Sequence, residues 1–209
     1  SVKLSSLYSQ ADPLDFNRSA DRIIDRLRPI LRLAMAQGSF VHFDMEQSGF
    51  KDLTLAIFKT VFMEPEFRDW ANVGIAIQAY LRDTANDLRV LASWAQRRGA
   101  PVTIRLVKGA YWDAETIVCA QNGWNTPVWS AKWQSDAAFE SLTEFLLLNR
   151  KYLRPALASH NLRSLARALA LAETMELPQG AFEVQVLYGM GDSLMDPFVS
   201  LKQRVRVYM

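Results

Sequence analysis

The sequence predicts an α/β fold, a (β/α)8 barrel of TIM type in incomplete form, and three observations lead there. Short β-branched or apolar runs alternate with longer helical patterns along the whole chain, which implies a parallel sheet, because parallel strands need crossover helices. No GxGxxG or GxxxxGK[ST] occurs, so an open nucleotide-binding sheet would lack its Gly-rich first turn, and the barrel is favoured over the doubly wound alternative. Polar residues gather at the C-terminal ends of the apolar runs, where the loops of a barrel converge.

The elements follow in order. SVKLSSL reads as a strand, followed by a helix from about Ser19 in which Pro29 should force a kink or a break into two. VHFDME is the next strand, with a helix from about Asp52. GIAIQAYL (74–81) precedes a helix with Thr84 as N-cap and Gly99 as C-terminal stop. VTIRLV (102–107) precedes one from about Asp113 to Asn122. The stretch from Gly123 to Gln134 is irregular, yet Trp124, Trp129 and Trp133 make it too aromatic for a disordered linker. A helix near 135–149, the strand ALASHN (156–161), a helix over 162–175 ended by Pro178, the strand FEVQVLY (182–188) and a final run RVRVYM complete the series. Seven strands result, where a full barrel has eight and typically about 250 residues. The chain also opens without Met inside an apparent strand. Residues 1–209 therefore read as the central part of one barrel domain, with its first strand and last helix missing.

Half of the 209 residues are apolar, enough for one sizeable core, and 24 basic against 22 acidic residues leave no electrostatic footprint for nucleic acid. The single cysteine, Cys119, excludes an internal disulfide and reads as a buried, inert thiol. No apolar run approaches the roughly 20 residues of a membrane span, which leaves room only for peripheral membrane contact.

Strand ends supply the candidate site. Asp44 ends VHFD, Gln78 ends GIAIQ, Arg105 and Lys108 end VTIRLVK, His160 and Asn161 end ALASHN, Gln185 lies in FEVQV, and Lys3 interrupts the first run. Each has an ordinary structural use: Asp44 as a helix cap or cation partner, His160 and Asn161 as a cap with a satisfied ring. So many polar side chains sent to one end would be costly as pure core, since an unpaired buried polar group costs about 1–3 kcal/mol. With His42 and His160 the only histidines, no metal constellation is expected, and no GxSxG elbow offers a nucleophile. The cations and amides that remain suit a ligand with phosphates and ring carbonyls. In RLVKGAYWD, Gly109 allows close backbone approach, Lys108 can meet a phosphate, and Trp112 offers a flat face to a ring; the bland alternative is a turn glycine followed by aromatics packing the outer helix. Arg105 and Lys108, three apart, point to opposite faces of a continuous strand, so the strand must end or turn near Val107 if both reach one ligand.

The runs SVKLSSLYSQ, FDMEQSGFKDLTL, IQAYLRDT, RLVKGAYWD, ASHNLRS and FEVQVLYGM, in order and over essentially the whole chain, resemble the proline dehydrogenase domain of bacterial bifunctional proline utilization A proteins. The resemblance implies a distorted (β/α)8 barrel holding FAD, oxidation of L-proline to Δ1-pyrroline-5-carboxylate by hydride transfer to flavin N5, and electrons passed to quinone. It implies a cytoplasmic protein that meets the inner membrane peripherally during turnover, fused to an aldehyde dehydrogenase domain. By the same resemblance Arg105 lies beside flavin N5 and Gln78 binds the ring, while Lys108, Gly109 and Ala110 line the cofactor, with Trp112 near the adenine and His160 and Asn161 also at FAD. Asp44 holds the active-site ion pairs, Met45 touches the flavin, Lys3 helps bind the substrate carboxylate, and Tyr111 lies at the proline pocket. That family clamps the carboxylate with adjacent arginines on its last barrel helix; Arg204 and Arg206, separated by Val205, are not that pair. Two other readings remain: a barrel aldolase with Lys108 or Lys3 as Schiff-base nucleophile, and a packing segment that binds no cofactor alone.

Overall fold

The computed structural model describes residues 1–190 and 192–208. Its elements are α1 (Leu4–Leu7), α2 (Phe16–Ala36), β1 (Val41–Phe43), α3 (Ser48–Val61), β2 (Val73–Gln78), α4 (Thr84–Arg98), β3 (Val102–Val107), α5 (Trp112–Asn122), α6 (Lys132–Leu148), β4 (Leu153–Ala158), α7 (Leu162–Thr174), β5 (Glu183–Leu187), α8 (Asp192–Ser200) and β6 (Arg204–Tyr208). The six strands pair in parallel in sequence order, forming a curled half-barrel. The curl is deep enough that the Tyr208 hydroxyl at the end of β6 lies 3.4 Å from the Asp44 carboxylate just after β1.

Strand alternation divides the sheet into two chemistries. Outward go Phe43, Ile75, Ile104, Leu157 and Val184, all fully buried against the helices. Phe43 packs on Phe58 and Phe62 of α3 with ring centroids 5.2 and 5.6 Å away. Inward go small or polar residues: His42, Ala76, Gln78, Arg105, Gln185 and Arg206. The main core is thus the layer between sheet and helices, and the lumen is left to polar chemistry.

At the floor, by the N-terminal ends of the strands, Arg98 closes α4 with only 1 % of its surface exposed. Its guanidinium donates to the carbonyls of Phe62 (3.0 Å), Phe67 (3.0 Å) and Trp70 (2.6 Å), and lies over the rings of Phe62 and Trp94. Gly99, at φ +85, then stops the helix as the sequence predicts.

Three expectations need correction. SVKLSSL is not a strand: only Val2 makes a parallel bridge, to Phe43, and Leu4–Leu7 turn into a helix. The alternation was real but outvoted by hydrogen bonds, because Ser6 donates to the Lys3 carbonyl and the Glu46 carboxylate accepts from both the amide and the hydroxyl of Ser5. The sheet accordingly has six strands and a bridge rather than seven. Pro29 does not divide its helix, since α2 runs unbroken with Ile23, Ile24, Leu27 and Leu31 buried on both sides of it. Thr84 is the first helical residue after an Asp83 cap, and its hydroxyl donates to the Gln78 carbonyl instead.

Candidate active site

The loops after β1, β3 and β4 and the segment at Lys3 meet at the C-terminal ends of the strands around a cavity of about 500 Å³. Lys3 reaches it because Val2 is clamped on β1, donating to the His42 carbonyl and accepting from the Asp44 amide. Lys3, Asp44, Met45, Gln78, Arg105, Lys108, Gly109, Ala110, Tyr111, His160 and Asn161 all line the cavity. Trp112 does not. It opens α5 at 42 % exposure, and its indole Nε1 donates to the Trp129 carbonyl, fastening the tryptophan loop rather than facing the lumen.

The strand-face puzzle resolves at Val107. β3 ends there, and Gly109 at φ +141 turns the chain so that Lys108 leaves the strand while its neighbours stay at the mouth. Arg105, still in the strand, points into the lumen. Its Nη1 donates to Asp44 Oδ1 at 2.9 Å and its Nε to Gln185 Oε1 at 2.8 Å, and its guanidinium lies 4.3 Å from the Tyr208 ring centroid. Gln185 passes the contact on, donating from Nε2 to Glu183 at 2.7 Å, and Glu183 accepts a two-bond clamp from Arg206. Burial alone would raise the Glu183 carboxyl; the bonds from Arg206 and Gln185 outweigh it and hold it below the usual value. Arg206 is thereby committed to the protein itself. Beneath the row sits His42, whose pKa burial drives well below the ordinary 6.5, with the nearby charges of Arg105 and Arg206 adding to the shift.

A second cluster stands where α6 and α7 begin. Lys108 pairs with Asp136 and donates to Ser164 Oγ at 3.2 Å, and the other Asp136 oxygen holds Lys132 at 2.7 Å. Burial would raise Asp136, but the two lysines keep it low. Asn161 caps α7 by accepting from the Ser164 amide, and His160 Nε2 accepts from the Leu187 amide at 3.0 Å. The cap reading and the cavity position therefore hold together for this pair.

Carboxylates also fix the loop that carries Asp44. Glu46 reaches Ser5 of α1, and Glu115 of α5 accepts from the amide and hydroxyl of Ser48 at the start of α3. Gln78 differs from its neighbours: only 3 % exposed, its Oε1 has no hydrogen-bond partner among the described residues.

Sequence reasoning passed over Tyr208, Lys132, Asp136 and Glu183 as site residues. The period-2 pattern of RVRVY, which puts Arg204, Arg206 and Tyr208 on one face, was the available signal for Tyr208. Asp136 and Lys132 lie in a helix with no strand-end signal at all.

The fold is shared with known proteins. Proline utilization A from Bdellovibrio bacteriovorus, solved after inactivation by N-propargylglycine, matches with a TM-score of 0.97 at 47 % identity, over 99 % of this chain and 22 % of that one. The bifunctional protein PutA of Escherichia coli is 31 % identical over 195 residues, 93 % of this chain and 15 % of the relative. Proline dehydrogenase 1 of Bacillus subtilis is 28 % identical over 205 residues, 98 % of this chain and 60 % of the relative. The chain thus spans 15 % to 22 % of the length of these proline utilization A relatives. Since the family model described as proline dehydrogenase matches residues 1–209 from end to end, this chain belongs to the proline dehydrogenase family.

Proposed function

We propose that this chain is the central part of a proline dehydrogenase barrel that binds FAD and oxidises L-proline to Δ1-pyrroline-5-carboxylate. The single observation that carries the reading is the Arg105 guanidinium, oriented by Asp44, Gln185 and Tyr208 at the wall of a cavity that its strand-end neighbours also line. The residues present fit a flavin. The unpartnered Gln78 Oε1 is a buried acceptor awaiting a donor such as a ring N–H, the turn at Gly109 leaves main chain exposed to the cavity, and Lys108 and Lys132 suit phosphate oxygens.

When bound, the flavin supplies the acceptor for the hydride that leaves proline C5. The chain supplies the rest. Arg105 presents a fixed positive charge where negative charge arrives, and its three partners spare it any reorganisation at that moment. Asp44 and Gln185 set its direction. Lys3 would receive the carboxylate of proline and Tyr111 its ring, both lining the same cavity as Tyr208. Met45, Ala110, His160 and Asn161 complete the cofactor's wall, and Trp112 acts from outside it by securing the adjoining loop. No strong general base is needed if the amine arrives neutral. In this reading electrons go on to quinone from a cytoplasmic protein meeting the inner membrane peripherally, and an aldehyde dehydrogenase domain belongs to the same longer protein.

A Schiff-base lysine needs an amine free to attack, and Lys108 is engaged by Asp136 and Ser164. That removes Lys108 from the aldolase reading and leaves it to Lys3. The test is the visible spectrum of the full-length protein carrying this chain, recorded without oxygen before and after L-proline. Flavin absorption that bleaches on addition is expected; a colourless protein, or a spectrum proline leaves unchanged, would overturn the proposal.

A further inference from the structure

We propose that Tyr80 is a positioning residue for the Lys108–Ala110 turn, its ring seated against Gly109 and its main chain joining that turn to the tryptophan loop. The inference rests on reading this turn as part of the cofactor cradle.

β2 ends at Gln78, yet its ladder continues past the sheet. Ala79 donates to the Val107 carbonyl and Tyr80 to the Lys108 carbonyl, each at 2.8 Å. The Tyr80 carbonyl accepts from the Trp129 amide at 2.8 Å, so one residue joins two loops through its own peptide groups. Leu81 then makes an antiparallel bridge to Val128, and Arg82 donates to the Pro127 and Val128 carbonyls at 3.0 Å each. Trp112 closes the circuit from α5 through its bond to the Trp129 carbonyl. Tyr80, Leu81 and Val128 form a small apolar cluster separate from the main core, and none is more than 3 % exposed. The mouth therefore has a core of its own.

The ring is the decisive part. A Cβ built on Gly109 would stand 2.4–2.5 Å from Cγ, Cδ1 and Cδ2 of Tyr80, closer than real side-chain contacts allow. Backbone and ring already fill that space, so the turn can neither carry a side chain nor settle inward. The Tyr80 hydroxyl, by contrast, is buried with no partner among the described residues. Position 80 uses the flat ring and not the oxygen.

Two variants separate these parts in the full-length protein, stripped of cofactor and then titrated with FAD by flavin fluorescence. Tyr80→Phe keeps the ring and should bind FAD within about twofold of the parent. Tyr80→Leu keeps a buried apolar side chain without the ring and should weaken binding about tenfold by releasing a preorganised turn. Amide hydrogen exchange in the cofactor-free protein should rise about tenfold in segments 107–112 and 127–131 of Tyr80→Leu, with β5 unchanged, because the opening is local. A Leu variant matching the Phe variant in both measurements, or exchange rising equally across the chain, would overturn the proposal. Should Tyr80→Leu fail to fold, Gly109→Ala probes the contact from the other side: weaker FAD binding and faster local exchange are expected, and parent-like values would again overturn it. A parent that binds no FAD would defeat the cofactor reading instead, while the exchange results would still decide the role of Tyr80.

Discussion

Arg98, at the end of the helix that leads into β3, and Arg105, within β3, are both buried, yet the fold treats them in opposite ways. Arg98 at the floor meets no carboxylate among its hydrogen-bond partners; five main-chain carbonyls and two aromatic rings surround it. Burial presses its pKa down to about 10, which still leaves it charged at neutral pH. Arg105 at the mouth has a carboxylate, an amide and a tyrosine ring, and one side open to the cavity. A cation that satisfies main chain on every side stitches loops together, here the α3–β2 connection to the turn before β3. One held by side chains, with a face left free, is poised to act on something else.

Substitution at the floor should have the largest effect. Arg98→Met leaves several buried carbonyls without a donor and should cost about 4 kcal/mol of stability, read as a lower denaturation midpoint. At the mouth, if the proposed function holds, Arg105→Met in the full-length protein should slow flavin reduction by proline about 100-fold in single turnover, the scale of losing one preorganised charge, while lowering the midpoint far less. If the two variants exchanged these signatures, the division between floor and mouth would fail. The smallest effect concerns pH. The folded pKa of His42 lies below its unfolded value, so below 6.5 the unfolded chain binds a proton the folded one refuses, and stability falls as pH drops. That slope approaches 1.4 kcal/mol per pH unit, roughly the maximum for one group. His42→Gln should remove it, flattening the midpoint between about pH 6.5 and 5. Glu183 acts in a lower window: its depressed pKa stabilises the fold above 4.5 and loses that contribution only as pH falls further. An unchanged pH profile in His42→Gln would show that the lumen histidine is not the titrating group.

How much of this could be read in advance differs between the two regions. The mouth was largely visible, because a polar residue at the end of an apolar run stands out against period 2; VTIRLVK gave both its boundaries and its two cations. Asp44 and Arg105 lie 61 residues apart in sequence, and only the barrel geometry brings them to 2.9 Å. Arg98 was invisible, since a helix-terminal arginine before glycine looks like a solvated cap. SVKLSSL misled for a related reason: a four-residue helix is decided by Glu46, far along the chain, and local alternation cannot register that. Asp136 shows the same limit from the other side, its two lysines being brought together by α6 and the end of β3.

The lumen row from Asp44 through Arg105, Gln185 and Glu183 to Arg206 alternates in sign and sums to zero. Such a row casts little field beyond its own length, and salt at physiological strength screens what remains over about 8 Å. An anion approaching the barrel therefore feels the lysines at the rim, Lys3, Lys108 and Lys132, tempered by Asp136 among them. Speed of arrival and readiness to react are thus lodged in separate sets of charges. Neutralising a rim lysine should change the salt dependence of the on-rate, whereas rearranging the row should leave arrival untouched and alter only what happens afterwards.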